Sequence, residues 1–165
     1  MYYQIQNEIT KISRKDINPE ILTIGIIPLE ELEHSYTHFG FSHLTVAECR
    51  SDEQHLHGTL NSYYDYLFGI IIGINPGQII KIQDRIGIYI KNNLLLIVII
   101  EDKDDSTKTK LYALLENMNV TKITQERLIF GFLERFISED YALLVNIEKS
   151  ISDHEDKINA RNLDK

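Results

Sequence analysis

The chain has no tryptophan and only one cysteine, Cys49, in 165 residues. A single thiol excludes an internal disulfide, and the chain suits a reducing compartment. Cationic side chains are the minority: 17 Lys and Arg stand against 25 Asp and Glu, a net charge of −8. That balance excludes general nucleic-acid binding, which needs clustered cations to neutralise phosphates, and is compatible with attracting cations. Long apolar runs are missing too. Leu67–Ile74 (LFGIIIGI) and Leu94–Ile100 (LLLIVII) are the most apolar stretches, and each is under half of the roughly 20 residues that a membrane helix needs. The opening MYYQIQNEIT has no basic segment followed by an apolar run, so no secretory signal is expected. Low-complexity tracts and runs of like charge are also absent, which confines expected disorder to the last few residues. No catalytic motif is found. Gly69 and Gly73 fall inside a strand-like run rather than ahead of a helix, G-x-S-x-G does not occur, and Cys49 has no partner motif; an enzyme is not expected.

What is present is enough apolar material, 43 % of the chain, for one domain with a core. Met1–Ile12 alternates in short bursts and predicts a hairpin. Ile21–Ile27 is a β-branched run closed by Pro28, a buried strand. A helix is expected from Pro28, with Leu29, Leu32, Tyr36 and Phe39 on one face and Gly40 as its stop. A second short helix follows over Ser42–Arg50, with Ser42 as N-cap and Leu44 and Val46 turned inward. Ser51–Ser62 is polar and reads as a loop. Asp65–Ile74, Gln78–Ile90 and Leu94–Ile100 read as strands, separated by a turn at Asn75–Gly77 and a tight turn at Lys91–Asn93, with the last strand central. Glu101–Lys108 reads as an acidic, solvated loop, Thr109–Met118 as a helix, and Thr124 to about Asn159 as a long one with Thr124 as N-cap. The alternation of strands and helices predicts an α/β sandwich with a mixed sheet and a long C-terminal helix.

That last helix is the most informative segment. About 35 helical residues span roughly 50 Å, more than a domain of this size measures across, about 30 Å. Its stripe is Ile129, Leu133, Phe136, Asp140, Leu143, Ile147, Ile151, His154 and Ile158, spaced by threes and fours, close to a heptad seam. The near half is rich in apolar side chains such as Phe130, Phe132 and Tyr141 and can pack on the domain. The far half narrows to a thin stripe bordered by Glu148, Lys149, Asp153 and Glu155, the pattern of a stalk or coiled coil. The competing reading is an ordinary amphipathic helix folded across the sheet.

Three segments resemble the cytoplasmic domain of CorA-type magnesium transporters. Residues 39–48, FGFSHLTVAE, resemble that family's FGxHPLxxED stretch. YDYLFGIIIGI (64–74) and IGIYIKNNLLLIVIIE (86–101) resemble its Y-D-D-Y-L-F strand and L-x-K-N-F-L-I-T-V strand pair. Residues 128–156 resemble the start of its stalk helix. The resemblance runs from about residue 20 to residue 160 and rests on the order and spacing of the segments. It implies an α/β/α cytoplasmic domain over residues 1–123 and the beginning of a long stalk helix over 124–165. It also implies a homo-oligomer, a pentamer in the full-length family, at the cytoplasmic face of the cell membrane. The two membrane helices and their Gly-Met-Asn loop would lie beyond the sequence given, which on this reading stops inside the stalk. The implied ion is Mg²⁺, both sensed and transported; related zinc transporters share the architecture, so the metal stays open.

The resemblance further implies that carboxylates facing each other between neighbouring domains repel until a hard divalent cation takes them as oxygen ligands. Glu48 falls on the family's sensing carboxylate, but Ala47 stands where the family has Glu, so one ligand is missing. Glu134 falls on the acidic residue of the L-L-D stretch. Against this stands the ordinary reading of both as solvated helix carboxylates. The family's R-P-K segment is replaced by His57-Gly58-Thr59-Leu60, which weakens transfer over residues 50–62. His55 and His57 would share a metal only on a structured loop, and Glu101–Asp105 lacks the ligand spacing of a calcium loop. The alternative function is a free-standing soluble α/β protein that dimerises through its C-terminal helix.

Overall fold

Strand-forming runs of Ile, Leu and Val dominate the middle of the chain, and those among the described residues enter one sheet. The computed structural model describes residues 1–51, 58–74, 82–102 and 105–135, together with 145, 148–149 and 151–152. Seven strands lie in the order β2-β1-β3-β7-β6-β5-β4: β1 Tyr2–Ile5, β2 Ile9–Ile12, β3 Leu22–Pro28, β4 Thr59–Tyr63, β5 Tyr66–Ile74, β6 Ile82–Lys91 and β7 Leu94–Asp102. Among the described residues only β3 and β7 pair in parallel, Ile24 opposite Leu95 and Ile26 opposite Ile97; the other neighbours are antiparallel. The sheet is therefore mixed, and β7 sits at its centre, as the LLLIVII run predicts. Leu95 to Val98 are each at most 1 % exposed, because the strand has a partner on both edges and cover on both faces.

Side chains alternate between two cores. On one face Ile24, Ile26, Ile86, Ile88, Leu95 and Ile97 pack under α4, Ser106–Asn117, and α5, helical over residues 125–135, through Leu111, Leu128 and Phe132. On the other, Phe68, Tyr89, Leu96 and Val98 meet α1, Leu29–Glu33, α2, Tyr36–Phe39, and α3, His43–Arg50. The result is the α/β/α sandwich expected.

Several local expectations change. The helix expected from Pro28 to Phe39 is interrupted at His34–Ser35; the buried Ser35 hydroxyl donates to the Glu31 carbonyl at 2.6 Å. Gly40 does stop α2, at φ +69°. Ser42 does cap α3, accepting from the Leu44 N–H at 3.2 Å. Leu44 itself, however, is 60 % exposed, and Thr45, Val46 and Cys49 face inward instead. Thr45 can be buried there because its hydroxyl donates to the Ser42 carbonyl at 2.8 Å. The loop expected over Ser51–Ser62 holds β4, while His55 and His57 lie outside the described residues, as does the Asn75–Gly77 turn. The acidic loop shrinks from both ends: β7 runs to Asp102 and α4 starts at Ser106. Asp102 takes the N–H groups of Thr107 and Lys108 at 3.3 and 3.4 Å, so this carboxylate serves the start of α4 rather than a solvated turn.

Candidate functional site

The three short segments that stood out in the sequence meet at one place. Phe41 leads into α3, Tyr66 and Phe68 begin β5, and Tyr89 ends β6. Their rings form one cluster: Phe41 stacks on Tyr89 with centroids 4.4 Å apart, Phe68 lies 4.7 Å from Tyr89, and Tyr66 lies 4.9 Å from Phe41. The Tyr66 hydroxyl accepts the Ser42 N–H at 3.0 Å, fixing the entry to α3. Lys91 closes the arrangement. Its ammonium donates to the Phe39 carbonyl at 3.0 Å, pairs with Asp65 at 2.8 Å and lies 6.0 Å from the centre of the Phe41 ring. The Lys91 bond holds the Asp65 carboxyl below its ordinary range. These motif residues are thus fold determinants: they bolt α2 and α3 to the sheet.

That bolt positions Glu48. It lies half-buried on α3, one turn from the helix end, where Arg85 from β6 donates to the Glu48 carbonyl at 3.2 Å and to the Ser51 carbonyl at 2.6 Å. Arg50 pairs with Glu33 of α1. Glu48 faces Tyr63 of β4, whose phenol is pushed above its ordinary range by burial first and by the Glu48 charge second. Glu134 lies exposed on α5, on the opposite side of the sheet. One chain therefore does not bring the two expected carboxylates together. Among the described residues no group of three or more His, Cys, Asp or Glu is placed to hold a metal ion.

A second pair of carboxylates was not singled out in the sequence. Asp84 on β6 stands opposite Asp102 on β7. It is 4 % exposed and accepts from the Thr107 hydroxyl at 3.1 Å, so both acids are engaged by the first turn of α4. Alternation within a strand gives no warning of this, since the bond depends on where α4 lands.

The architecture matches solved structures. Against the complete CorA magnesium transporter from Methanocaldococcus jannaschii the TM-score is 0.67, with 21 % identity over 96 % of this chain and 50 % of that one. Against the soluble domain of the same protein it is 0.60, with 22 % identity over 97 % and 65 %. This chain has the fold of the CorA soluble domain. The full-length CmaX protein gives a TM-score of 0.71 at 13 % identity over 96 % of this chain and 51 % of that one. The chain spans about half the length of the full-length proteins it matches. No protein-family model and no curated protein matches the sequence. Within the CorA-like fold, no helix among the described residues is long and apolar enough to cross a membrane.

Proposed function

We infer that this chain is the cytoplasmic portion of a CorA-type divalent-cation transporter, with residues 1–123 as the sensing body and 124–165 as the start of a stalk. One observation carries the reading: a fold that matches a complete magnesium transporter with a TM-score of 0.67 over 96 % of this chain and half of that one. The charge of −8 suits a domain that gathers cations. Ile151 and Val145 are 54 % and 47 % exposed on the last helix, which suits cover by copies of the same helix in an oligomer. No covalent chemistry is involved. Mg²⁺ is cargo and, bound between copies at Glu48 and Glu134, the signal; removing it returns two like-charged surfaces to repulsion and loosens the ring.

The test is the parent gene. Two stretches of about 20 apolar residues downstream of Lys165, joined by a Gly-Met-Asn loop, are expected. A stop codon directly after Lys165 would sink the transporter reading and return the chain to a free-standing protein that pairs through its last helix.

A further inference from the structure

The end of the sheet that carries Lys91 also carries a cleft of about 300 Å³, within the size range of small-molecule sites. It lies between the segment leading into β3, the end of α2 and the β6–β7 turn. Ile17, Ile21, Phe39 and Leu94 supply apolar walls, and Lys91 and His38 stand among its polar groups. In a chain with eight more acidic than basic residues, no Asp or Glu among the described residues lines this cleft.

Lys91, which also ties α2 to the sheet, is one of the polar groups of the cleft. Its side chain is only 20 % exposed, and two of its three N–H donors are directed, one to the Phe39 carbonyl and one to Asp65. The Phe39 bond aims the ammonium, and the open space around Gly40 admits it: a Cβ there would meet Nζ at 2.9 Å. Asp65 is a loose partner, with its side chain 63 % exposed at the tip of the β4–β5 turn. An exposed carboxylate of that kind holds weakly and can be exchanged for another anion with little loss.

The geometry points to a binding site for a small monocarboxylate with an apolar body. The carboxylate takes the third Lys91 donor or displaces Asp65, and the body lies between Phe39 and Leu94. This site is separate from the carboxylates of the proposed ion-sensing interface and needs no second chain.

The probe is benzoate, with benzylamine as a control of the same shape and opposite charge, added to the 165-residue chain while the amide resonances of Thr23, Asn92 and Asn93 are followed. Saturable shifts with benzoate and none with benzylamine are expected, with affinity in the millimolar range for so few atoms. Lys91→Met should weaken binding at least about tenfold. Asp65→Asn should strengthen it about two- to fivefold by removing the competing carboxylate; a purely structural role for the Lys91–Asp65 pair does not produce that gain. No saturation up to tens of millimolar benzoate would overturn the assignment. So would an equal response to benzylamine, or an affinity unchanged in both variants of correctly folded protein.

Discussion

Cys49 is fully enclosed beneath the sheet, its sulfur 3.7 Å from the Tyr89 hydroxyl and directly under Gly87, where a Cβ would come within 3.2 Å of it. Burial pushes its thiol up to about 11 from 9.0, only partly offset by the Tyr89 hydrogen bond and the Arg85 charge. The consequence for stability has a definite sign. Below pH 9 the thiol is protonated in both folded and unfolded chains and contributes no slope. Between about 9 and 11 the unfolded chain releases the proton while the folded chain holds it, so stability falls as pH rises. The loss attributable to Cys49 approaches about 3 kcal/mol. Denaturant midpoints from pH 8 to 11 should drop less steeply in Cys49→Ala than in the parent. The buried thiol should also resist aromatic disulfide reagents at pH 8 until the chain is unfolded. Identical slopes in the two proteins would dismiss Cys49 as the titrating group. The isolation of this cysteine is visible in composition alone; its enclosure is not, since that depends on Tyr89 and Gly87 arriving from a strand some forty residues away.

At the scale of elements, α5 depends on its first turn. The Thr124 hydroxyl oxygen accepts the Arg127 N–H at 3.3 Å and the Thr124 carbonyl accepts from Leu128 at 3.0 Å. The same hydroxyl also helps hold the Glu126 carboxyl below its ordinary range. Thr124→Ala should cost about 1 kcal/mol in urea denaturation. Leu128→Ala removes a side chain of 0 % exposure from the core under the sheet and should cost about 3 kcal/mol. Equal losses would mean that the helix is held by its cap rather than by its apolar face. This cap was legible because an N-cap is a local signal. The strands β3, β5 and β7 were legible because their apolar runs are longer than any loop tolerates. β4 was not: TLNSY has one partner, β5, and shows solvent the burial pattern of an edge strand, so no alternation marks it. The orientation of α3 was also misread at Leu44. In a helix of eight residues the inward face is chosen by Cys49 and Val46 meeting the sheet, and a threonine that satisfies its own hydroxyl competes on equal terms with a leucine.

At the scale of the whole molecule, the two carboxylates expected to respond to Mg²⁺ lie on helices that cover opposite faces of one sheet. That separation is invisible in the sequence, where Glu48 and Glu134 are simply acids on two helices, and it constrains the proposed ion sensing. A chain alone cannot offer both groups to a single cation, so the proposed response must appear only when α3 of one copy approaches α5 of the next. The intact assembly should gain up to about 2.7 kcal/mol of stability at Mg²⁺ a hundredfold above its dissociation constant. The 165-residue chain, diluted until it is monomeric by sedimentation, should gain close to none. In the assembly, Glu48→Gln and Glu134→Gln should each remove most of the gain, and the double variant little more than either, because two ligands of one ion are coupled rather than additive. A dilute monomer stabilised as strongly as the assembly would place the ion within a single chain. The opposed positions of Glu48 and Glu134 would then rule them out as joint ligands.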